Sequence, residues 1–487
     1  MEDFDIVIVG AGSAGCIVAN QFINLTNFKV LLIEAGPSDR NPIINVPLGY
    51  GMTFYNKKIN WNFYSNKQKN LFNREIYFPR GKVLGGSGSI NALVYSRGLK
   101  SDYTNWSKNK NWDWQNIKRT FDTIEKNIEI KDNAFPINKI PVNDVSSLHH
   151  PMLKNFFNAA NELNIPFKKN LTTNSDNQIG HYNINSCNGY RFSSSKAFLR
   201  PVISSTRLKL LTKCVVKKLI IKNRKIVALD ALYKNKLFKI KPKLGVILCL
   251  GSIMTPYVLM HSGIGDGNEL KKFNIPVKLN NMQVGKNLQD HLGIDYLYKS
   301  NQKSLNYSLG TWLGRTKSVL QYMYNRKGPF SISINQSGGY IKWKTIKNYP
   351  NLQIYFNPLS YSIKHEYKRP LLQADKFNGF AIGFNSCRPK SLGKISLSSP
   401  NLYENPVIDP NYLDNEEDIN DVKSAIDFLK TISKTKSLKS IIHGPTKIDI
   451  NKSNEKELIE HFKLNSTSVY HPCGTCRMDS KKEKGVV

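Results

Sequence analysis

Residues 3–37 read DFDIVIVGAGSAGCIVANQFINLTNFKVLLIEAGP. Phe4 to Val9 is apolar and β-branched with no turn residue inside it, which suits a buried parallel strand. The run passes into Gly10, Gly12 and Gly15, spaced G-x-G-x-x-G, and then into a helical stretch from Ala14 to Phe22. A second apolar run, Lys29 to Ile33, ends at Glu34. Strand, glycine turn, helix, strand and acid together form the complete fingerprint for gripping a dinucleotide. Gly10 makes the tight turn, Gly12 lets backbone approach a pyrophosphate, and Gly15 lets the helix pack closely on the strand. Ser13 and Ala14 lie at the helix start, where N–H groups are available to phosphate. Glu34, followed by Ala35, is placed to accept the hydroxyls of an adenosine ribose. A glycine turn without a ligand is the alternative, and the order of the flanking elements speaks against it.

At 487 residues the chain is too long for one ordinary core, so two intertwined or sequential domains are expected. It has no uninterrupted apolar run long enough for a transmembrane helix. The first strand begins at residue 4, with no room for a signal peptide before it, so a cytoplasmic location is the default expectation. The formal charge of +34 raises nucleic acid or an anionic membrane surface as partners. Lysines are spread along the whole chain, however, and no basic block interleaved with aromatic residues stands out. The densest stretch, KNRKIVALDALYKNKLFKIKPK (222–243), alternates charge with apolar residues like a solvated strand face. No nucleic-acid partner is expected, while peripheral attachment at an inner membrane through the basic surface stays open. Seven cysteines fit a reducing compartment. Cys473 and Cys476 form one C-x-x-C pair, without the neighbours that a redox or zinc site needs.

Pro79 to Gly98, PRGKVLGGSGSINALVYSRG, holds too many glycines for a regular element, and its glycine pair brings backbone close to a flat ligand. This stretch closely resembles the first signature of the glucose–methanol–choline (GMC) flavin oxidoreductases. Further matches follow in order: GYRFSSSKAFLRP (189–201), the strand region Leu208 to Leu219, GVILCLG (245–251), and GSIMTPYVLMHSGIG (251–265), similar to the second signature. VGKNLQDHL (284–292) matches the VGxNLxDH element and HPCGTCRM (471–478) the HPxGTxRM element. The resemblance implies an α/β fold: a Rossmann-like FAD-binding domain, with an α+β second domain whose antiparallel sheet roofs the flavin. The expected division is 1–300, completed by 444–487, for FAD, and 301–443 for substrate. A peripheral helical insertion is expected near 101–186, and a helix from Glu416 to Ser433. Beyond the fingerprint residues, the resemblance implies cofactor contacts by Arg80, Val83, Gly86, Asn91, Ala92, Val94 and Val216.

Family members oxidise an alcohol by passing hydride to the flavin while a base accepts the hydroxyl proton. Histidine suits that base because its ordinary pKa lies near neutrality. By motif position the base is His471; a buried structural histidine is the alternative. His291 is read as securing the cofactor domain, and His261, His443 and His461 as surface or structural. No metal site is expected. Cys473 and Cys476 fall at variable positions of the HPxGTxRM element.

Two departures from the family stand out. Where some members attach FAD through a histidine, this chain has Ile90, so FAD is expected to be held non-covalently. The chain also stops at Val487, before the segment that supplies the partner of the catalytic histidine, and it is therefore read as truncated. The leading expectation is FAD-dependent oxidation of a primary or secondary alcohol, choline-like or other, with an electron acceptor such as a quinone. The alternatives are a truncated, inactive FAD-binding remnant and a non-redox lyase on the same fold. A choline site would need a carboxylate and aromatic rings facing the flavin, for which Trp61, Tyr64, Tyr355 and Phe356 are candidates.

Overall fold

The structure is a computed structural model; it describes residues 3–103, 106, 110–130, 132, 134–171, 177–364, 371–401, 403–481 and 484–487. The opening stretch folds as its pattern dictates: β1 (Phe4–Val9), α1 (Ser13–Leu25) and β2 (Val30–Ile33). A four-stranded parallel sheet forms in the order Leu208–Leu211, β2, β1, Pro242–Leu248. Apart from Asp5 near the start of β1, β1 and β2 are apolar because both faces of this sheet are covered. On one face α1 packs Cys16, Ala19 and Ile23 against Ile6 and Ile8, with Phe198 and Leu199 alongside. On the other, Val216, Leu219 and Leu229 pack against Val7, Val9, Leu31 and Ile33. That second layer is a three-stranded antiparallel sheet, Cys214–Lys222, Lys225–Tyr233 and Lys236–Ile240. The expected run from Leu208 to Leu219 is therefore two strands. Lys213, at a φ of 56°, turns the chain from the parallel sheet into the covering layer.

The second body is an eight-stranded sheet. Its main path runs Ile442–Pro445, Leu292–Ser300, Gly379–Ser386, Leu352–Asn357, Ser337–Ile341, Gln178–His181, Phe167–Asn170; Thr467–Ser468 pairs separately with Leu292–Ser300. Every pairing is antiparallel except the last of the main path. Successive residues of a strand point to opposite faces, and the two faces here differ in chemistry. Ile354, Phe356, Phe380, Ile382, Phe384 and Tyr296 belong to the main core. Phe356 stacks on Phe156 of helix Leu153–Glu162 at 5.0 Å, and Phe384 on Phe462 of helix Glu455–Asn465 at 5.4 Å. Helix Glu416–Ser433, with the bounds expected, covers the same face with Val422, Phe428 and Leu429. The intervening positions, Gly293, Asp295, Tyr355, Gly383 and Asn385, face the other way.

The segment 101–186 departs from the peripheral helical insertion expected of it. Phe156 is fully buried, and Phe167–Asn170 and Gln178–His181 complete the large sheet. These strands read FKKN and QIGH, too short and polar to stand out before their partners are known. The large sheet thus draws on 167–181, 292–300 and 467–468 as well as on strands between 337 and 445. Among the described residues no helix is long and apolar enough to cross a membrane.

The dinucleotide turn makes a sharp demand at Gly15, where an added Cβ would lie 1.9 Å from the Gly10 carbonyl oxygen. Gly15→Ala should therefore cost about 1 to 3 kcal/mol, the usual range for steric overpacking. Chemical denaturation measures it, and an unchanged midpoint would mean that α1 and the turn do not meet this closely.

Candidate active site

Two glycine loops build the cofactor side. Gly10, at a φ of 97°, turns the chain out of β1 into α1. The cap residue Gly12 has no side-chain cap, so the N–H groups of the first turn, around the exposed Ser13 and Ala14, are open to an anion. The second loop, from Arg80 to Val94, comes directly against this turn. Gly85 N–H donates to the Ala11 carbonyl at 2.8 Å, and a Cβ on Gly86 would lie 2.8 Å from Gly12 Cα. Gly86 also has a φ of 57°, so space and backbone conformation both exclude a side chain there. Such a cradle suits a ligand that lies along bare backbone.

Glu34 sits at the end of β2, 6% exposed. Its carboxylate accepts from Ala11 N–H at 3.0 Å and from Gly36 N–H at 2.8 Å. Burial pushes its pKa up to about 7, against the pull of the Gly36, Ala11 and Ala35 amides and of Lys82. Val216 lies just below, on the strand that starts where Cys214 N–H donates to the Glu34 carbonyl. Glu34, Ala35 and Val216 thus gather at one end of the parallel sheet, beside the glycine turns.

The remaining expected contacts divide. Val83 turns its side chain into a closed apolar cluster with Ile44, Ile59 and Ile90. Ala92 packs at the edge of another, around Leu93, Ile184 and Ile332, while Val94 pairs with Ile184 in a short strand. Asn91 is exposed at the loop surface and held from behind by Arg191. Arg191 donates to Asn91 Oδ1 at 2.7 Å and to its carbonyl at 2.6 Å, and also to the Ile44 carbonyl at 3.0 Å. This guanidinium is 2% exposed, and burial lowers its pKa to about 9. It lies in the segment 189–201 singled out from the sequence, where nothing marked it as the post supporting Asn91.

At the other side, the VGKNLQDHL and HPCGTCRM elements pair with each other. Gln289 and Cys473 exchange backbone hydrogen bonds of 3.0 and 2.9 Å, Gly285 N–H donates to the Thr475 carbonyl at 2.9 Å, and Val469 N–H donates to the His291 carbonyl at 2.8 Å. Asp290 lies between them, 5% exposed. It accepts from His471 N–H at 2.7 Å, from Tyr412 OH at 2.5 Å and from Ser468 OH at 2.5 Å. Burial raises its pKa, and these donors oppose the shift. Arg80 donates to the Tyr470 carbonyl at 2.5 Å, which ties the second glycine loop to the same corner.

His471 therefore arrives beside His291, with Nδ1 of each ring 3.1 Å from Nδ1 of the other. His291 Nε2 lies 3.1 Å from the Cys387 carbonyl, which can only accept, so that nitrogen carries the proton. The neutral His291 ring then offers a lone pair at Nδ1, and His471 donates to it from Nδ1. His471 is left with an unprotonated Nε2. Enclosure of its ring nitrogens by the surrounding protein, although His471 keeps a solvent-exposed edge, and then His291 and Arg80 lower its pKa to about 3, and burial lowers that of His291 as well. Above this pair stands the polar face of the sheet: a Cβ on Gly293 would meet Val469 at 2.9 Å and the Tyr355 hydroxyl at 3.1 Å. Tyr355 bonds Asn385, and Asp295 accepts from Tyr361 OH at 2.7 Å. Of the residues considered for a cation site, Tyr355 is on this face; Phe356 points into the core, and Trp61 stacks on Phe63 at 5.7 Å.

The N-terminal GMC oxidoreductase family profile matches residues 4–293, and the C-terminal one residues 389–487. The chain belongs to the GMC oxidoreductase family. FAD is the cofactor of this GMC oxidoreductase. It is 34% identical to an alcohol dehydrogenase [acceptor] of Pseudomonas putida, over 98% of this chain and 86% of that protein. To the mitochondrial choline dehydrogenase of Mus musculus it is 28% identical, over 100% of this chain and 82% of that protein. Two crystal structures share the fold. Formate oxidase superposes with a TM-score of 0.89 at 23% identity, over 100% of this chain and 90% of that one. Pyridoxine 4-oxidase from Mesorbium loti gives 0.84 at 23%, over 98% and 90%.

The Glu34 environment makes a test. With an ordinary pKa of 4.5 in the unfolded chain and about 7 in the fold, Glu34 takes up a proton on folding between those values. Its contribution to stability is complete below 4.5 and is lost as pH rises through 7. In flavin-free protein, Glu34→Gln should therefore gain on the wild type in thermal midpoint between pH 5 and pH 8. Two parallel curves would show that the carboxyl titrates normally.

Proposed function

We propose that this GMC oxidoreductase converts a primary or secondary alcohol to the aldehyde or ketone, with His471 as the base. FAD, when bound, takes the hydride from the carbinol carbon. The observation that carries the reading is the hydrogen-bond chain from the Cys387 carbonyl through His291 to His471, which leaves Nε2 of His471 free to accept a proton. The carbinol hydroxyl becomes strongly acidic as its carbon gives up hydride, so a neutral imidazole suffices as acceptor. Asp290 orients the ring through the His471 backbone N–H, and the polar sheet face with Tyr355, Asn385 and Asp295 bounds the alcohol.

We read the flavin as non-covalent. Ile90 replaces the histidine expected of a covalent linkage and is itself buried with Ile44, Ile59 and Val83. Acceptors other than oxygen, a quinone among them, agree with the name of the Pseudomonas putida relative.

Anaerobic mixing of the yellow holoprotein with alcohols tests the assignment: bleaching of the flavin by at least one alcohol is expected, and a protein that no alcohol bleaches would overturn it. His471→Ala should slow flavin reduction roughly a hundredfold or more, and an unchanged rate removes His471 from the mechanism. His471 becomes cationic only near pH 3. The reduction rate should accordingly hold between pH 8 and pH 5; an acid limb centred near 6.5 would place the imidazole in an ordinary aqueous setting. Precipitation with acid should release all the flavin into the supernatant.

A further inference from the structure

Helix Trp312–Asn325 is amphipathic in the reverse sense for a surface helix. Its buried residues are Ser318 and Tyr322, and the Tyr322 hydroxyl donates to the Gly189 carbonyl at 2.9 Å. Its large apolar residues face outward: Trp312 is 77% exposed, Leu313 74%, Leu320 60%, Met323 65% and Tyr324 91%. At about 100° per residue these five fall within one stripe roughly 120° wide. Tyr307, on the adjoining helix Leu305–Leu309, is 60% exposed and adds to the patch. The helix is well made at both ends: Thr311 caps its N-terminus through Gly314 N–H, and Arg326 closes it in the left-handed conformation.

Charge narrows the occupant. Between Asn301 and Phe330 there is no Asp or Glu, whereas Lys303, Arg315, Lys317, Arg326 and Lys327 flank or border the stripe. A second copy of a chain carrying +34 would bring like charges together at this face. A bilayer surface rich in anionic lipid offers the complement to both parts, acyl chains for the apolar stripe and headgroups for the cations. Trp and Tyr are the aromatic residues favoured at that boundary. At 14 residues, about 21 Å, the helix is too short to span and would lie in the interface plane.

We propose that helix Trp312–Asn325 docks this protein on anionic membrane surfaces. Flotation of the FAD-loaded protein with vesicles tests it, comparing pure phosphatidylcholine with phosphatidylcholine containing about one-third phosphatidylglycerol. At least a tenfold enrichment on the anionic vesicles is expected. The double variant Leu320→Asp/Met323→Asp should keep its flavin content and its flavin reduction in solution yet lose that enrichment. Lys317→Glu/Lys327→Glu should weaken it, and the control Leu237→Asp, at a solvent-exposed strand position elsewhere, should leave it intact. Equal flotation of the wild type and the Leu320/Met323 variant would overturn the proposal. So would a wild type that stays with the soluble fraction, or one that light scattering finds dimeric while the variant is monomeric, since the stripe would then serve self-association.

Discussion

A single buried carboxylate holds the corner around the two histidines together. Asp290 takes hydrogen bonds from Tyr412, Ser468 and the His471 backbone, so two further chain segments converge on its two oxygen atoms. Removing a carboxylate from water is costly unless donors replace the lost hydration. Those donors are therefore held in place by the same charge that they stabilise, and the His471 ring inherits their rigidity. The backbone exchange between Gln289 and Cys473 then aligns the two histidines.

The cofactor side follows a different principle, the absence of side chains. Gly12 and Gly86 come from turns more than seventy residues apart in sequence and meet so closely that Gly86 has no room for a methyl group. Backbone amides exposed in this way recognise phosphate and a flat ring system without any charged side chain. Asn91 is the polar exception, and the buried Arg191 behind it shows how much structure stands in support of one loop residue. The two sides are joined through Arg80, whose guanidinium reaches the carbonyl just before His471.

The two faces of the large sheet divide the labour between stability and chemistry. One buries Phe356, Phe380 and Phe384 against helices; the other carries glycines, Tyr355, Asn385 and Asp295 toward the histidine pair. The reversed helix Trp312–Asn325 lies outside this division: Tyr322 alone of its large side chains is buried, and its other large apolar residues face outward.

How much of this was legible in the chain depended on whether the information was local. β1, α1, β2 and the helix Glu416–Ser433 were readable because periodicity, glycine spacing and uninterrupted apolar runs are properties of neighbouring residues. His471 and the glycine loops were readable through ordered motifs. The break at Lys213, the strands FKKN and QIGH, and the Arg191 support were not, because each acquires meaning only from partners distant in sequence. The partner of His471 is the clearest case. His291 carries no local mark of that role, and the two rings stand 180 positions apart until backbone pairing brings them to 3.1 Å. Sequence alone determined the dinucleotide cradle and the candidate base; tertiary structure decided which nitrogen of that base is free, because a tautomer is set by the nearest acceptor in space.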